Sequence, residues 1–221
     1  MFSHQIGRNV EVYVDDMLVK SKDEANNHLD DLKETFSTLR KCNMKLSPAK
    51  YVFTVASRKF LGFMVSQRGI EANLDKVKAV IEIKSPKTIK EVQILTRKIA
   101  ALNKFISRAT DKCMPFFKVL KKAFQWNDEC KEALAKLKVY LTKQPLLSLS
   151  VIGEKLYLYL AVSNTTVSLA LIRKEENVQK PIYYTSQAFQ GVEANYPRME
   201  KIAFALLVAS RKLCSDRKSV V

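Results

Sequence analysis

The stretch Val10-Glu11-Val12-Tyr13-Val14-Asp15-Asp16-Met17-Leu18-Val19 decides how the rest of the chain is read. Val10, Val12 and Val14 alternate with polar or aromatic residues, and Met17, Leu18 and Val19 follow an acidic pair. That pattern predicts two short strands joined as a hairpin. Aspartate is a common turn residue, so the pair taken alone reads first as a turn. The other reading is chemical. Phosphoryl transfer needs hard oxygen ligands for magnesium, and a hairpin end holds two carboxylates rigid and exposed where a primer terminus reaches them.

Outward from the hairpin, Ser21-x-x-Glu24 reads as a capping box opening a helix with Leu29, Leu32, Phe36 and Leu39 on one face. Short strands are expected over 51–55 and 60–66, with Gln67-Arg68-Gly69 turning the chain into Ile70. The middle third is helical. A helix over 74–83 stops before Pro86. A second, opened by the box Thr88-x-x-Glu91, carries Val92, Leu95, Ile99, Leu102 and Ile106 in line. A third is capped by Asn127 and turns Ala133, Leu134, Leu137 and Leu141 inward. Beyond residue 150 the pattern changes to three strands, near 156–160, 167–172 and 181–185, with Glu175-Glu176-Asn177 as a turn. A helix then starts at Pro197 with Met199, Ala203, Leu206 and Leu207 on its buried side.

The 221 residues carry a formal net charge of +16 with a pI near 9.7, which points to a polyanion, either nucleic acid or an anionic membrane surface. Residues 76–150 hold 17 basic against 6 acidic residues, a net of +11, while residues 1–75 are nearly balanced at 11 against 10. The excess therefore sits in helical sequence, which favours a folded basic surface over a disordered arm. Cys42, Cys113, Cys130 and Cys214 are scattered and lie near neither His4 nor His28, which argues against a zinc site and against a disulfide framework. With no secretory signal and no long apolar run, a soluble protein of the cytoplasm or nucleus is expected, not a secreted one.

Tyr13-Val14-Asp15-Asp16 resembles the YxDD motif of reverse transcriptases. The segments that follow are similar to those after it in Ty3/gypsy-type LTR retrotransposon Pol polyproteins, plant elements above all. They include Lys45-Leu46-Ser47-Pro48, Phe60-Leu61-Gly62-Phe63, Lys90-Glu91-Val92-Gln93, Ala101 through Arg108 and Phe124-x-Trp126. The resemblance implies an α+β and α/β multi-part fold. Its expected parts are a partial reverse transcriptase palm over 1–75, with a YVDD hairpin and a primer-grip-like hairpin, a helical thumb over 76–122 and a connection over 123–150. A truncated RNase-H-like α/β domain over 151–214 and a divergent tail over 215–221 complete it.

On that resemblance Asp15 and Asp16 are the catalytic, metal-binding carboxylates for Mg2+. Tyr13, Phe60, Leu61, Gly62, Lys121 and Lys122 are candidates for nucleic-acid contact, alongside further lysines such as Lys90, Lys98 and Lys104. The implied partners are an RNA–DNA or DNA template–primer duplex and the polymerase parts absent from this sequence; no membrane partner is implied. Two positions of the RNase-H-like site read as degenerate. Ala161 stands where the family has its first aspartate, and Glu200 matches the helix glutamate. The family also places a third catalytic aspartate upstream of the hairpin. The expectation is a chain of polymerase and RNase H ancestry with neither activity on its own. The alternatives are a non-catalytic duplex-binding module and a functionless transposon relic.

Overall fold

A computed structural model describes residues 2–13, 16–21, 25–48, 53, 57–60, 62–66, 68–121, 124–143, 145–151 and 153–216. Asp15, Leu61 and Lys122 lie outside the described residues, as do Glu24 of the first capping box and most of the strand expected over 51–55.

Strands β1 (Val10–Tyr13) and β2 (Asp16–Val19) form the expected antiparallel hairpin, pairing Val10 with Val19 and Tyr13 with Asp16. Helix α1 (Ala25–Lys41) packs against it, burying Val10 with Phe2 and Leu39. Polar contacts set the rotation of α1. Asn9 Nδ2 and Ser21 Oγ donate to the two oxygens of Asp31 at 2.6 and 2.7 Å, and Arg8 donates to Glu34 at 2.5 Å. These bonds hold the Asp31–Thr35 row against the hairpin, so Thr35 is fully buried and Leu29, expected on the inner face, is exposed.

The second sheet has the order β3 (Ser57–Phe60), β4 (Phe63–Ser66), β5 (Gly69–Ala72) and β6 (Leu146–Leu147), all antiparallel. Two-residue β6 was not legible in sequence. It exists because Gly69 lets the chains meet: a Cβ there would lie 2.0 Å from the Leu147 carbonyl oxygen, at a φ of +134°.

Against this sheet pack α2 (Leu74–Ile81), α3 (Ile89–Ala100), α4 (Ala109–Lys121) and α5 (Asp128–Thr142). Thr88 and Asn127 cap as their sequence signals predict, accepting from the Glu91 and Cys130 amides, and Asn73 caps α2 from the Asp75 amide. Leu102 and Ile106 are buried as expected, but beyond the end of α3, which stops before the short 3-10 turn Asn103–Phe105. On α5, Cys130 rather than Ala133 completes the fully buried row. Helix α4 was not predicted because Pro115 sits inside it. Burial overrides the local penalty: Cys113, Phe116 and Val119 enter the core, and Phe116 stacks on Trp126 with ring centroids 5.6 Å apart.

The third sheet is the antiparallel meander β7 (Leu156–Val162), β8 (Thr166–Glu175) and β9 (Val178–Ala188). Glu176 and Asn177 turn β8 into β9, both with positive φ (48° and 64°), the two-residue turn that suits the twist of a hairpin. The sheet has helices on both faces. Leu160, Val162, Val167 and Leu169 face α6 (Arg198–Asp216), while Ser186 and Thr166 bond to Thr110 and Asp111 of α4.

The phase of α6 corrects the sequence reading. Met199 is 76% exposed and Leu206 52%, and Ala203 and Leu207 are exposed too; Lys201, Ala205, Val208 and Ala209 are buried instead. Both faces of this helix carry apolar residues, so periodicity alone leaves its rotation open. Two alanines let the helix lie close to the sheet, and the Lys201 ammonium donates to the Asn164 carbonyl at 3.0 Å above the Phe189 ring. No helix among the described residues is long and apolar enough to cross a membrane.

Three outcomes follow from this packing. Gly69→Ala forces β5 from β6 and is expected to destabilise by about 2–4 kcal/mol, read as a thermal midpoint lower by at least about 5 °C. The pair Glu176→Asn with Asn177→Gly relieves two left-handed side-chain residues and should raise the midpoint by roughly 2–4 °C. The hydrogen bonds from Asn9 and Ser21 hold the Asp31 carboxyl below its ordinary value. A depressed carboxylate stabilises above its unfolded value and loses that contribution as pH falls through the folded one. Asp31→Asn should therefore lower the midpoint at pH 7, with the gap to the parent closing as pH falls below about 4.

Candidate metal and nucleic-acid site

The hairpin end is built by uneven cover. Near Val10 and Val19 the ribbon lies on α1, but Val12, two residues on along the same face, is 39% exposed. The Tyr13–Asp16 pair is the last rung of the ladder beyond that point, while the Val10–Val19 end is anchored in the small core with α1. A Lys20–Glu11 ion pair at 2.7 Å ties the two strands on the anchored side. Asp16 thus heads β2 and Tyr13 ends β1, with Val14 and Asp15 between them in sequence. Two aspartates consecutive in sequence offer the hard oxygen donors that suit a divalent cation. Among the described residues no group of three or more His, Cys, Asp or Glu side chains gathers as a metal site.

The grip-like segment lies at the turn of the second sheet. Phe60 ends β3 and pairs with Phe63 at the start of β4; Gly62 between them has a φ of +78°. Phe63 packs on Phe105 with centroids 5.6 Å apart, which fixes the turn to the helical core. Two ammonium groups approach the same ring, Lys76 of α2 at 5.8 Å and Lys104 at 5.7 Å from its centroid. Lys76 carried no sequence signal, because it lies 13 residues from Phe63 and only folding brings them together.

The basic helices divide into two groups. Several lysines serve the fold. Lys98 and Lys138 donate to the Ala79 and Ile83 carbonyls at the end of α2, at 3.1 and 2.6 Å. Lys112 lies 3.9 Å from the Tyr140 ring centroid and donates to Ser107 Oγ; burial and the neighbouring Arg108 pull its pKa down. Lys118, Lys131 and Lys136 pair with Glu129, Asp128 and Glu132. Lys87, Lys90 and Lys104 remain exposed, and Lys121 ends α4. Cys113 and Cys130 are buried in the core, and burial pushes the Cys113 thiol up to about 12.

On the third sheet Ala161 pairs with Ser168, and Ser168 with Ser186, which places Ala161 on the face turned toward α4. Glu200 lies exposed in the first turn of α6, on the opposite side of the sheet. The Ser168 hydroxyl is buried with no partner among the described residues.

Known proteins resemble this arrangement. The family described as reverse transcriptase (RNA-dependent DNA polymerase) matches residues 1–65, and the RNase H-like domain found in reverse transcriptase matches residues 126–216. The Tf2-3 and Tf2-7 transposon polyproteins of Schizosaccharomyces pombe are each 26% identical over 202 residues, 90% of this chain and 15% of the polyprotein. The chain thus spans a small part of the curated relatives it matches. Among solved structures, the foamy viral protease–reverse transcriptase in complex with RNA/DNA hybrid superposes with a TM-score of 0.77 at 23% identity, covering 96% of this chain and 28% of that one. The same protein's dRH form in complex with double-stranded DNA gives 0.75 at 22% identity, covering 97% and 38%. Residues 1–65 thus match the reverse transcriptase family model and residues 126–216 the model of the RNase H-like domain found in reverse transcriptase, and the chain is similar to the Tf2 (Ty3/gypsy-type) transposon polyproteins.

Proposed function

We propose that this chain supplies the primer-binding side of an RNA-directed DNA polymerase and holds a template–primer duplex along its basic helices. The observation that carries the reading is the YVDD hairpin itself: Tyr13 pairs with Asp16 at the end of a ribbon whose other end is anchored against α1. Asp15 and Asp16 would hold Mg2+, which when bound supplies Lewis-acid activation of a primer 3′ hydroxyl and neutralises the leaving pyrophosphate. Tyr13 would lie beside the primer terminus. Phe60, Leu61 and Gly62 would form the grip, glycine giving the backbone close approach to the strand. Lys121 at the end of α4 and Lys122 next to it in sequence, with the exposed Lys90 of α3, would neutralise backbone phosphates.

The part boundaries belong to the same proposal: palm over 1–75, thumb over 76–122, connection over 123–150, and an RNase-H-like domain over 151–214. In that domain Ala161 cannot ligate a metal, so the first carboxylate place is void and Glu200 serves as an ordinary helix residue. The domain then acts as a rigid platform behind α4, and the expected activity is duplex binding without cleavage of the RNA strand.

Fluorescence anisotropy with a primed RNA–DNA duplex tests the reading. Binding is expected with a dissociation constant of about 10⁻⁶ M at 50 mM salt, weakening at least 100-fold by 200 mM as condensed counterions cease to drive association. Absence of binding at 50 mM salt, or an affinity indifferent to salt, would overturn it.

A further inference from the structure

The turn at Gly62 and Phe63 carries a charge arrangement that the fold does not need. Lys76 and Lys104 come from different elements, α2 and the 3-10 turn Asn103–Phe105, yet both ammonium groups approach the ring of Phe63. Among the described residues neither lies within ion-pair distance of a carboxylate. Lys98, Lys118, Lys131, Lys136 and Lys138, by contrast, are each satisfied by a carbonyl or a carboxylate. Both ammonium groups lie against one phenyl ring without a carboxylate beside them, and a ring π-face compensates only part of a full charge. A bound anion completes the compensation.

The glycine sharpens the position. The Lys76 ammonium lies 2.8 Å from where a Cβ of residue 62 would stand, so it rests against bare backbone at the tip of the turn. Phe105 holds the Phe63 ring from the core side, which makes the platform rigid before any ligand arrives. A compact ammonium on a flexible stem recognises phosphate as a point charge, without the planar geometry that arginine imposes.

We propose that Lys76 and Lys104, mounted on Phe63 beside Gly62, form a two-point site for the backbone phosphates of a bound nucleic-acid strand. This rests on the reading that the chain holds a duplex, and it names the pair of residues that fixes the strand's path past the turn.

The test is the salt dependence of duplex binding by the full chain and two double variants. Lys76→Gln with Lys104→Gln should reduce the slope of log affinity against log salt by about one for each lysine, a total of about two. Lys143→Gln with Lys155→Gln removes the same charge elsewhere and should leave the slope within half a unit of the parent. Lys76→Arg with Lys104→Arg should restore the parent slope, and equal thermal midpoints for all variants would show that folding is intact. An unchanged slope for the Lys76/Lys104 variant, or an equal loss in the control pair, would overturn the site while leaving duplex binding standing. No binding by the parent would instead remove the underlying reading. Displacement of the duplex from the parent by millimolar inorganic phosphate, at ionic strength matched with chloride, would mark a free-phosphate pocket and overturn the assignment to a strand.

Discussion

The two residues of β6 hold the larger part of this molecule together. Leu146 and Leu147 pair with β5, and the next amide, Ser148, donates at 2.7 Å to the Pro181 carbonyl on β9. One extended segment thereby stitches the second sheet to the third, with Leu147 buried in the helical core between them. The stitch depends on Gly69, because any side chain there meets the Leu147 backbone. Proline at 181 suits an edge strand, since it offers the carbonyl the stitch needs and has no amide to leave unpaired. Everything proposed for the basic helices presumes that this core holds the grip turn and the RNase-H-like sheet in one frame.

A second, polar lock works beside it. Thr110 donates from its amide and its hydroxyl to Ser186 Oγ, both at 2.9 Å, and Thr166 donates to the Asp111 carboxylate. Arg108 pairs with the other oxygen of Asp111 at 2.7 Å. These bonds lie between α4 and the inner face of the third sheet, where Tyr184 also reaches the core and burial raises its pKa. The sheet of the segment that matches the RNase H-like model is thus held by hydroxyls and one carboxylate against the helices. The position where its first catalytic aspartate is expected, Ala161, belongs to that same inner face.

Sequence disclosed most of the elements and little of their rotation. Caps at Thr88 and Asn127 were legible because the capping residue and its target lie three residues apart on one chain. The turn at Glu176-Asn177 was legible from its residue types, although its left-handed backbone was not. Pro115 hid α4, because the penalty is local while the burial of Phe116 and the stacking of Trp126 are not. Helix α6 misled by offering two apolar faces, and only the sheet selects the one with Ala205 and Ala209. Among the proposed site residues, the YVDD pair is legible in its own spelling. The Lys76–Phe63–Lys104 cluster is assembled from three separate segments, so no window of sequence contains it.

The central proposal is that the YVDD end of the hairpin and the turn at Gly62 and Phe63 face the same primer terminus. The most direct measurement is photo-cross-linking of a primed RNA–DNA duplex with the reactive group on the primer's terminal nucleotide, followed by identification of the labelled peptides. The account predicts labelling concentrated in peptides containing residues 10–19 and 57–66. Labelling confined to α6 and the strands of the third sheet would contradict it.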